Sequence, residues 1–119
     1  MDIIKAFTFE SAHLLPNLPE GHKCKRLHGH SFRVEIRVRG ELDPKLNWVM
    51  DFDEISQVVK PIIENELDHR YLNDVKGLEN PTSEGIAVWL WKRIRKQLPL
   101  LHEIVVQETC TARAVYKGK

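Results

Sequence analysis

The sequence predicts an α+β domain in which an antiparallel four-stranded sheet carries two helices on one face. Three observations support this: two long alternating runs near the N-terminus, two helical runs in the middle, and two short alternating runs at the end. The order is strand, strand, helix, helix, strand, strand. The 119 residues form one domain, 1–119, with no repeat, linker or low-complexity stretch. That length is enough to bury one modest core.

The first strand spans about residues 3–13, with Ile3, Phe7, Phe9, Ser11 and His13 on one face. The second spans about 28–38. Its His28, His30, Phe32, Val34, Ile36 and Val38 oppose Arg33, Glu35, Arg37 and Arg39 on the other side. Between them runs a long Pro- and Gly-containing loop, a length often used for function. The first helix runs from Asp51, its cap, to about Leu67. Phe52, Ile55, Val59, Ile62 and Glu66 keep helical spacing, Val58 and Ile63 widen the stripe, and Pro61 predicts a kink or early break. Asn80-Pro81-Thr82-Ser83-Glu84 opens the second helix, which buries Ile86, Leu90, Trp91, Ile94 and Leu98 and stops at Pro99. Ile104, Val106, Glu108 and Cys110 share a face of the third strand, and Ala112, Ala114 and Tyr116 alternate in the fourth. An open sheet has two edges, and closing a barrel with further copies of the chain is one way to protect them.

A hydrophobic content of 42% and a charged content of 29% argue against disorder, and a net charge of +1 gives no reason to expect nucleic acid or a membrane as partner. The N-terminal residues lack the apolar core of a signal peptide. Cys24 and Cys110 stand in different contexts and read as reduced thiols of a cytoplasmic protein.

Four groups of residues could carry chemistry. His28 and His30, two apart on a strand, project from one face, and Gly29 between them is read as leaving room. His13 ends the apolar face of the first strand. Three neutral imidazoles suit a tetrahedral zinc ion with its fourth position open, although a His-x-His pair alone also fits a plain surface. Cys24, flanked by Lys23, Lys25 and Arg26, is either a thiol tuned toward thiolate or an incidental exposed one. Asp68-His69 is either a carboxylate–imidazole proton relay or a surface loop. Glu108 either points to water or accepts two hydrogen bonds from the amino and ring N–H edge of a guanine or pterin. His22 and His102 read as surface residues and Cys110 as a packed hydrophobe.

Taken together, Phe7-Thr8-Phe9-Glu10-Ser11-Ala12-His13, Cys24-Lys25-Arg26-Leu27-His28-Gly29-His30, Leu67-Asp68-His69, Asn80-Pro81-Thr82-Ser83-Glu84 and Glu108-Thr109 resemble the 6-pyruvoyltetrahydropterin synthase family, in order and over essentially the whole chain. The resemblance implies zinc held by His13, His28 and His30, and Cys24 as base with Asp68 and His69 as its relay. It also implies Glu108 anchoring the pterin edge and Thr82, Ser83 and Glu84 lining the pterin pocket. It further implies the tunnelling fold, with trimers stacked into a homo-hexamer and sites between subunits. Three residues separate Cys24 from His28, as in the bacterial, carboxy-forming branch. The implied reaction converts 7,8-dihydroneopterin triphosphate to 6-carboxy-5,6,7,8-tetrahydropterin, releasing triphosphate and acetaldehyde, in queuosine (7-deazaguanine) biosynthesis. Two alternatives stand beside it: a pyruvoyl-forming synthase, and a non-catalytic zinc-binding module with Cys24 as a fourth ligand.

Overall fold

The computed structural model describes residues 1–119. Strand β1 (Asp2–His13) pairs antiparallel with β2 (His28–Arg39) along its whole length, from Asp2 opposite Arg39 to His13 opposite His28. This register puts Phe7, Phe9, Ser11 and His13 on the same side as Phe32, Val34, Ile36 and Val38, all buried. Strand β4 follows β2 in the sheet, and β5 is its last member; β4 spans Leu101–Gln107 and β5 spans Arg113–Tyr116. The helices α1 (Phe52–Ile62) and α2 (Ser83–Ile94) cover one face, burying Ile55, Val59, Ile86, Leu90 and Ile94 in one core with the strand residues. The class is α+β, as expected.

The strand count is different. A fifth strand, β3 (Arg70–Tyr71), lies on the outer side of β1 and runs parallel to it, giving the order β3-β1-β2-β4-β5. Two residues are too few to show an alternating pattern, so the sequence carried no signal for it.

Asp51 caps α1 as expected, its carboxylate accepting from the Asp53 N–H at 2.9 Å. Pro61 does not end the helical path. It withholds one N–H, and the chain then widens into a π-helical turn over Ile63–Leu67, closed by a 2.8 Å bond from the Asp68 N–H to the Ile63 carbonyl. That turn delivers Asp68 and His69 to the edge of β1. In α2 the cap is Thr82, whose hydroxyl accepts from the Gly85 N–H at 3.0 Å; Pro81 lies just outside the helix. The helix ends at Ile94, before Pro99, yet Leu98 is buried as predicted because its N–H still bonds the Ile94 carbonyl at 3.0 Å. Strand β4 ends at Gln107, so Cys110 lies beyond it and is exposed, not packed. No helix is long and apolar enough to cross a membrane.

Candidate metal centre and pterin cleft

The β1–β2 register brings three imidazoles to one end of the sheet. His13 faces His28 across the ladder, and His30 lies opposite Ser11, one step along the same side. The ring centroids of His13 and His28 are 4.5 Å apart, those of His28 and His30 4.8 Å, and those of His13 and His30 5.1 Å. One ring nitrogen from each lies within 4.8 Å of the others, so the three could hold a metal ion. Phe32 forms the floor, edge-on to His13 at 5.4 Å and to His30 at 5.6 Å, and itself stacks on Phe9 at 4.9 Å.

Hydrogen bonding sets the tautomers. Nδ1 of His13 is 2.8 Å from the Pro81 carbonyl, and Nδ1 of His28 is 2.7 Å from the Arg26 carbonyl. A carbonyl only accepts, so both rings carry their proton on Nδ1 and present a lone pair at Nε2. Nε2 of His13 and Nε2 of His30 are buried without a hydrogen-bond partner. Burial also pushes the pKa of His30 down, outweighing Glu108, so its ring stays neutral. Neutral rings with orphaned, converging lone pairs are what a transition-metal ion requires.

Glu108 stands one residue past β4 and turns toward this cluster. Its Oε1 is 3.3 Å from Nε2 of His13 and 3.7 Å from Nε2 of His30, close but not aligned as hydrogen bonds. The Glu108 carboxyl lies below its ordinary pKa, with the neighbouring His13 as the first cause and burial opposing it, so the group is a carboxylate. A carboxylate facing the His13 Nε2 lone pair is relieved by a cation between them. The residues therefore fit a metal.

Beside the cluster opens a cleft of about 440 Å³ whose lining includes Ser83, Glu84, Glu108, Ala112 and Arg113. It joins three of the residues expected to bind pterin, while the fourth, Thr82, caps α2 immediately behind them. A larger groove of about 560 Å³, walled by Met50, Gln57, Leu98 and Leu100, contains no imidazole or thiol.

Cys24 sits partly buried in a 3₁₀ turn, Lys23–Lys25, and is not a member of the three-imidazole cluster. Asp68 and His69 lie elsewhere. Nδ1 of His69 is 2.9 Å from Asp68 Oδ2, and Asp68 Oδ1 accepts from the Glu10 N–H at 2.9 Å. The His69 N–H donates to the Glu10 carbonyl at 2.6 Å, which holds His69 at a left-handed φ of 56°. The Glu10 N–H bond, then His69, keeps the Asp68 carboxyl below its ordinary pKa. Glu10 points to the face opposite His13, and the His69 side chain is 79% exposed. The pair is therefore intact but does not touch Cys24 of the same chain.

Gly29 faces away from the imidazoles, and a Cβ there would meet only the Ser11 carbonyl at 3.7 Å, an ordinary contact. Making room for the rings does not explain it. The sequence reading also missed the backbone carbonyls of Pro81 and Arg26, which orient the rings, and Asn73. The Asn73 side chain accepts from the Leu14 N–H at 3.0 Å and donates to the Leu14 carbonyl at 2.9 Å, fixing the chain just after His13. Carbonyl partners leave no residue-type signal; only the topology reveals them.

Residues 2–119 match the family model described as 6-pyruvoyl tetrahydropterin synthase. The chain belongs to that family. It is thus an enzyme of the pterin synthase type. A 6-carboxy-5,6,7,8-tetrahydropterin synthase of Synechocystis is 46% identical, with 96% of this chain and 91% of the relative covered. A dihydroneopterin monophosphate aldolase of Pyrococcus furiosus is 42% identical over 82% of this chain and 77% of its own length. The solved structure of Caenorhabditis elegans 6-pyruvoyl tetrahydropterin synthase superposes with a TM-score of 0.91, covering 100% of this chain and 96% of its own. At 24% identity it speaks for the fold alone.

Replacing His28 or His30 with Ala removes one of three ligands and should abolish stoichiometric metal binding, while the protein stays folded because neither histidine is itself one of the buried core residues. Cys24→Ala should keep the metal. Elemental analysis and circular dichroism of the three variants check this; full metal occupancy in His28→Ala or His30→Ala contradicts the assignment.

Proposed function

We propose that this enzyme is a zinc-dependent lyase that converts 7,8-dihydroneopterin triphosphate to 6-carboxy-5,6,7,8-tetrahydropterin, with release of triphosphate and acetaldehyde. The observation that carries the reading is the convergence of three imidazoles, two of them with a buried and unpartnered Nε2, beside a cleft lined by Glu108. The 46% identity to a carboxy-forming relative, and the three-residue spacing between Cys24 and His28, favour the carboxy product over the pyruvoyl one.

His13, His28 and His30 hold the zinc, which when bound supplies a Lewis acid to polarise the oxygens of the substrate side chain. Glu108 accepts the amino and ring N–H of the pterin, with Thr82, Ser83 and Glu84 at the wall of the cleft. Cys24, as thiolate, takes a proton from a side-chain carbon and delivers one to the ring. Asp68 fixes the His69 tautomer, and His69 returns the Cys24 thiol to its working protonation state. Loss of triphosphate follows, and one water molecule then cleaves the bond between the first two carbons of the remaining side chain, its oxygen completing the carboxyl group and its hydrogens leaving with the acetaldehyde and the acid. Since Asp68–His69 and Cys24 are apart within one chain, they meet where two copies adjoin, in keeping with a homo-hexamer built as a dimer of trimers. Lys25 is engaged by Glu20, which leaves Lys23 and Arg26 to attract the triphosphate. A place in queuosine biosynthesis and a cytoplasmic location complete the reading.

Cys24 outside the imidazole cluster argues against the rival in which it closes the shell of a structural zinc. Incubating the zinc-loaded enzyme with 7,8-dihydroneopterin triphosphate and weighing the products tests the proposal. Equimolar 6-carboxytetrahydropterin and acetaldehyde are expected; pyruvoyltetrahydropterin as the main product, or no turnover, overturns it.

Substrate recognition has its own test. Glu108→Gln exchanges one acceptor oxygen for a donor that faces a donor on the ring. Losing a charge-assisted buried bond costs about 1.5–3 kcal/mol, so binding of unreactive biopterin should weaken at least about tenfold. Zinc content should stay unchanged. Fluorescence titration giving the parent Kd contradicts Glu108 as the anchor.

A further inference from the structure

The loop between β1 and β2 fixes Cys24 through its main chain. The Cys24 carbonyl accepts from the Leu15 N–H at 2.8 Å, and the Cys24 N–H donates to Nδ1 of His22 at 3.1 Å. Leu15 lies two residues beyond His13, and Arg26, two residues after Cys24, gives its carbonyl to His28. The cysteine is thereby tied to both strands that carry the imidazoles. Of these ties, the one to the Cys24 N–H is made by a loop side chain, and it comes from His22.

The Cys24 N–H belongs to the first turn of the 3₁₀ segment, where amides have no partner within the turn. Caps at such positions are usually Ser, Thr, Asp or Asn. Here an imidazole does the work. Because Nδ1 accepts, its lone pair is free and the ring proton is on Nε2, the opposite tautomer to His13 and His28. The ring is neutral. The charged groups of the same loop are Glu20, Lys23, Lys25 and Arg26, and Glu20 is occupied by Lys25. No negative charge is therefore brought to the thiol. An aspartate cap would hold the same amide but would disfavour a thiolate beside it.

We propose that His22 is a positioning residue for Cys24: its neutral imidazole fixes the Cys24 main chain, and with it the thiol, while keeping negative charge away. This rests on Cys24 being the base. The exposed His22, read from the sequence as a plain surface residue, thus has a specific task.

The test compares His22→Ala, His22→Asn and His22→Asp with Cys24→Ala in zinc-loaded enzyme, using dihydroneopterin triphosphate as substrate. His22→Ala should lower kcat on the order of 10- to 100-fold, the cost of a misplaced reacting group, with KM and zinc content unchanged. Asn places its Oδ1 where Nδ1 stood and should restore kcat to within about threefold of the parent. Asp also caps, yet should fail to restore it. A second readout needs no turnover. In a Cys110→Ser background, iodoacetamide should alkylate Cys24 roughly fivefold more slowly in His22→Asp than in His22→Asn, the effect of one nearby charge. Parental kcat in His22→Ala, or equal kcat and alkylation rates for Asn and Asp, overturns the proposal. Parental turnover in Cys24→Ala instead overturns the base assignment beneath it, so the two failures are told apart.

Discussion

Everything in this enzyme depends on the register of the β1–β2 ladder. Pairing Phe9 with Phe32 sets His13 opposite His28 and brings His30 alongside, so one alignment makes the core and the three-imidazole cluster together. A slip of one residue would turn every side chain of one strand to the other face. Phe32, Val34, Ile36 and Val38 would leave the core, and Arg33, Glu35, Arg37 and Arg39 would enter it. At about 1.5–3 kcal/mol for each large apolar side chain, that penalty approaches the whole stability of an ordinary domain. The apolar residues therefore hold the imidazoles in place.

Convergence alone does not make a metal site; the tautomers must also be right. Backbone carbonyls set two of them, and packing holds the third ring. Pro81, before α2, orients His13; Arg26, at the end of the 14–27 loop, orients His28; and Phe32 supports His30 from below. The Thr82 cap fixes where α2 begins and so where the Pro81 carbonyl points. Helix layer, loop and sheet thus meet at the imidazoles. The opposite face carries a second network: Arg39 grips Asp2 at 2.6 and 2.9 Å, while Arg37 reaches Glu103 at 2.9 Å. The Arg39 bonds, with Arg37 adding, hold the Asp2 carboxyl well below the usual carboxylate range. Of these groups Glu103 is buried, Asp2 and Arg37 are half-buried, and Arg39 is exposed.

Much of this was legible from residue type and spacing. Alternation from Phe7 to His13 and from His28 to Val38 gave both strands and put all three imidazoles on the buried face. Asp51 and the Thr82 region gave the starts of the helices. What escaped had no local signature. Arg70–Tyr71 is too short to alternate, and the π turn after Pro61 depends on where Asp68 must arrive. Gly29 was assigned a steric purpose that its orientation denies, and Cys110 a burial that the end of β4 prevents. His22 looked like a surface residue because exposure is visible in sequence and a 3.1 Å bond to a backbone amide is not. The separation of Asp68–His69 from Cys24 was equally invisible, since it follows from the three-dimensional path of the chain.

The central claim is that three imidazoles, bound through Nε2, hold a catalytic zinc whose remaining position belongs to substrate and not to Cys24. X-ray absorption at the zinc K edge of the purified enzyme tests it most directly. The account predicts a first shell of nitrogen and oxygen scatterers alone at about 2.0–2.1 Å, with outer-shell imidazole features for three histidines. A sulfur scatterer at about 2.3 Å would contradict it, because Cys24 would then close the shell and could not serve as the base.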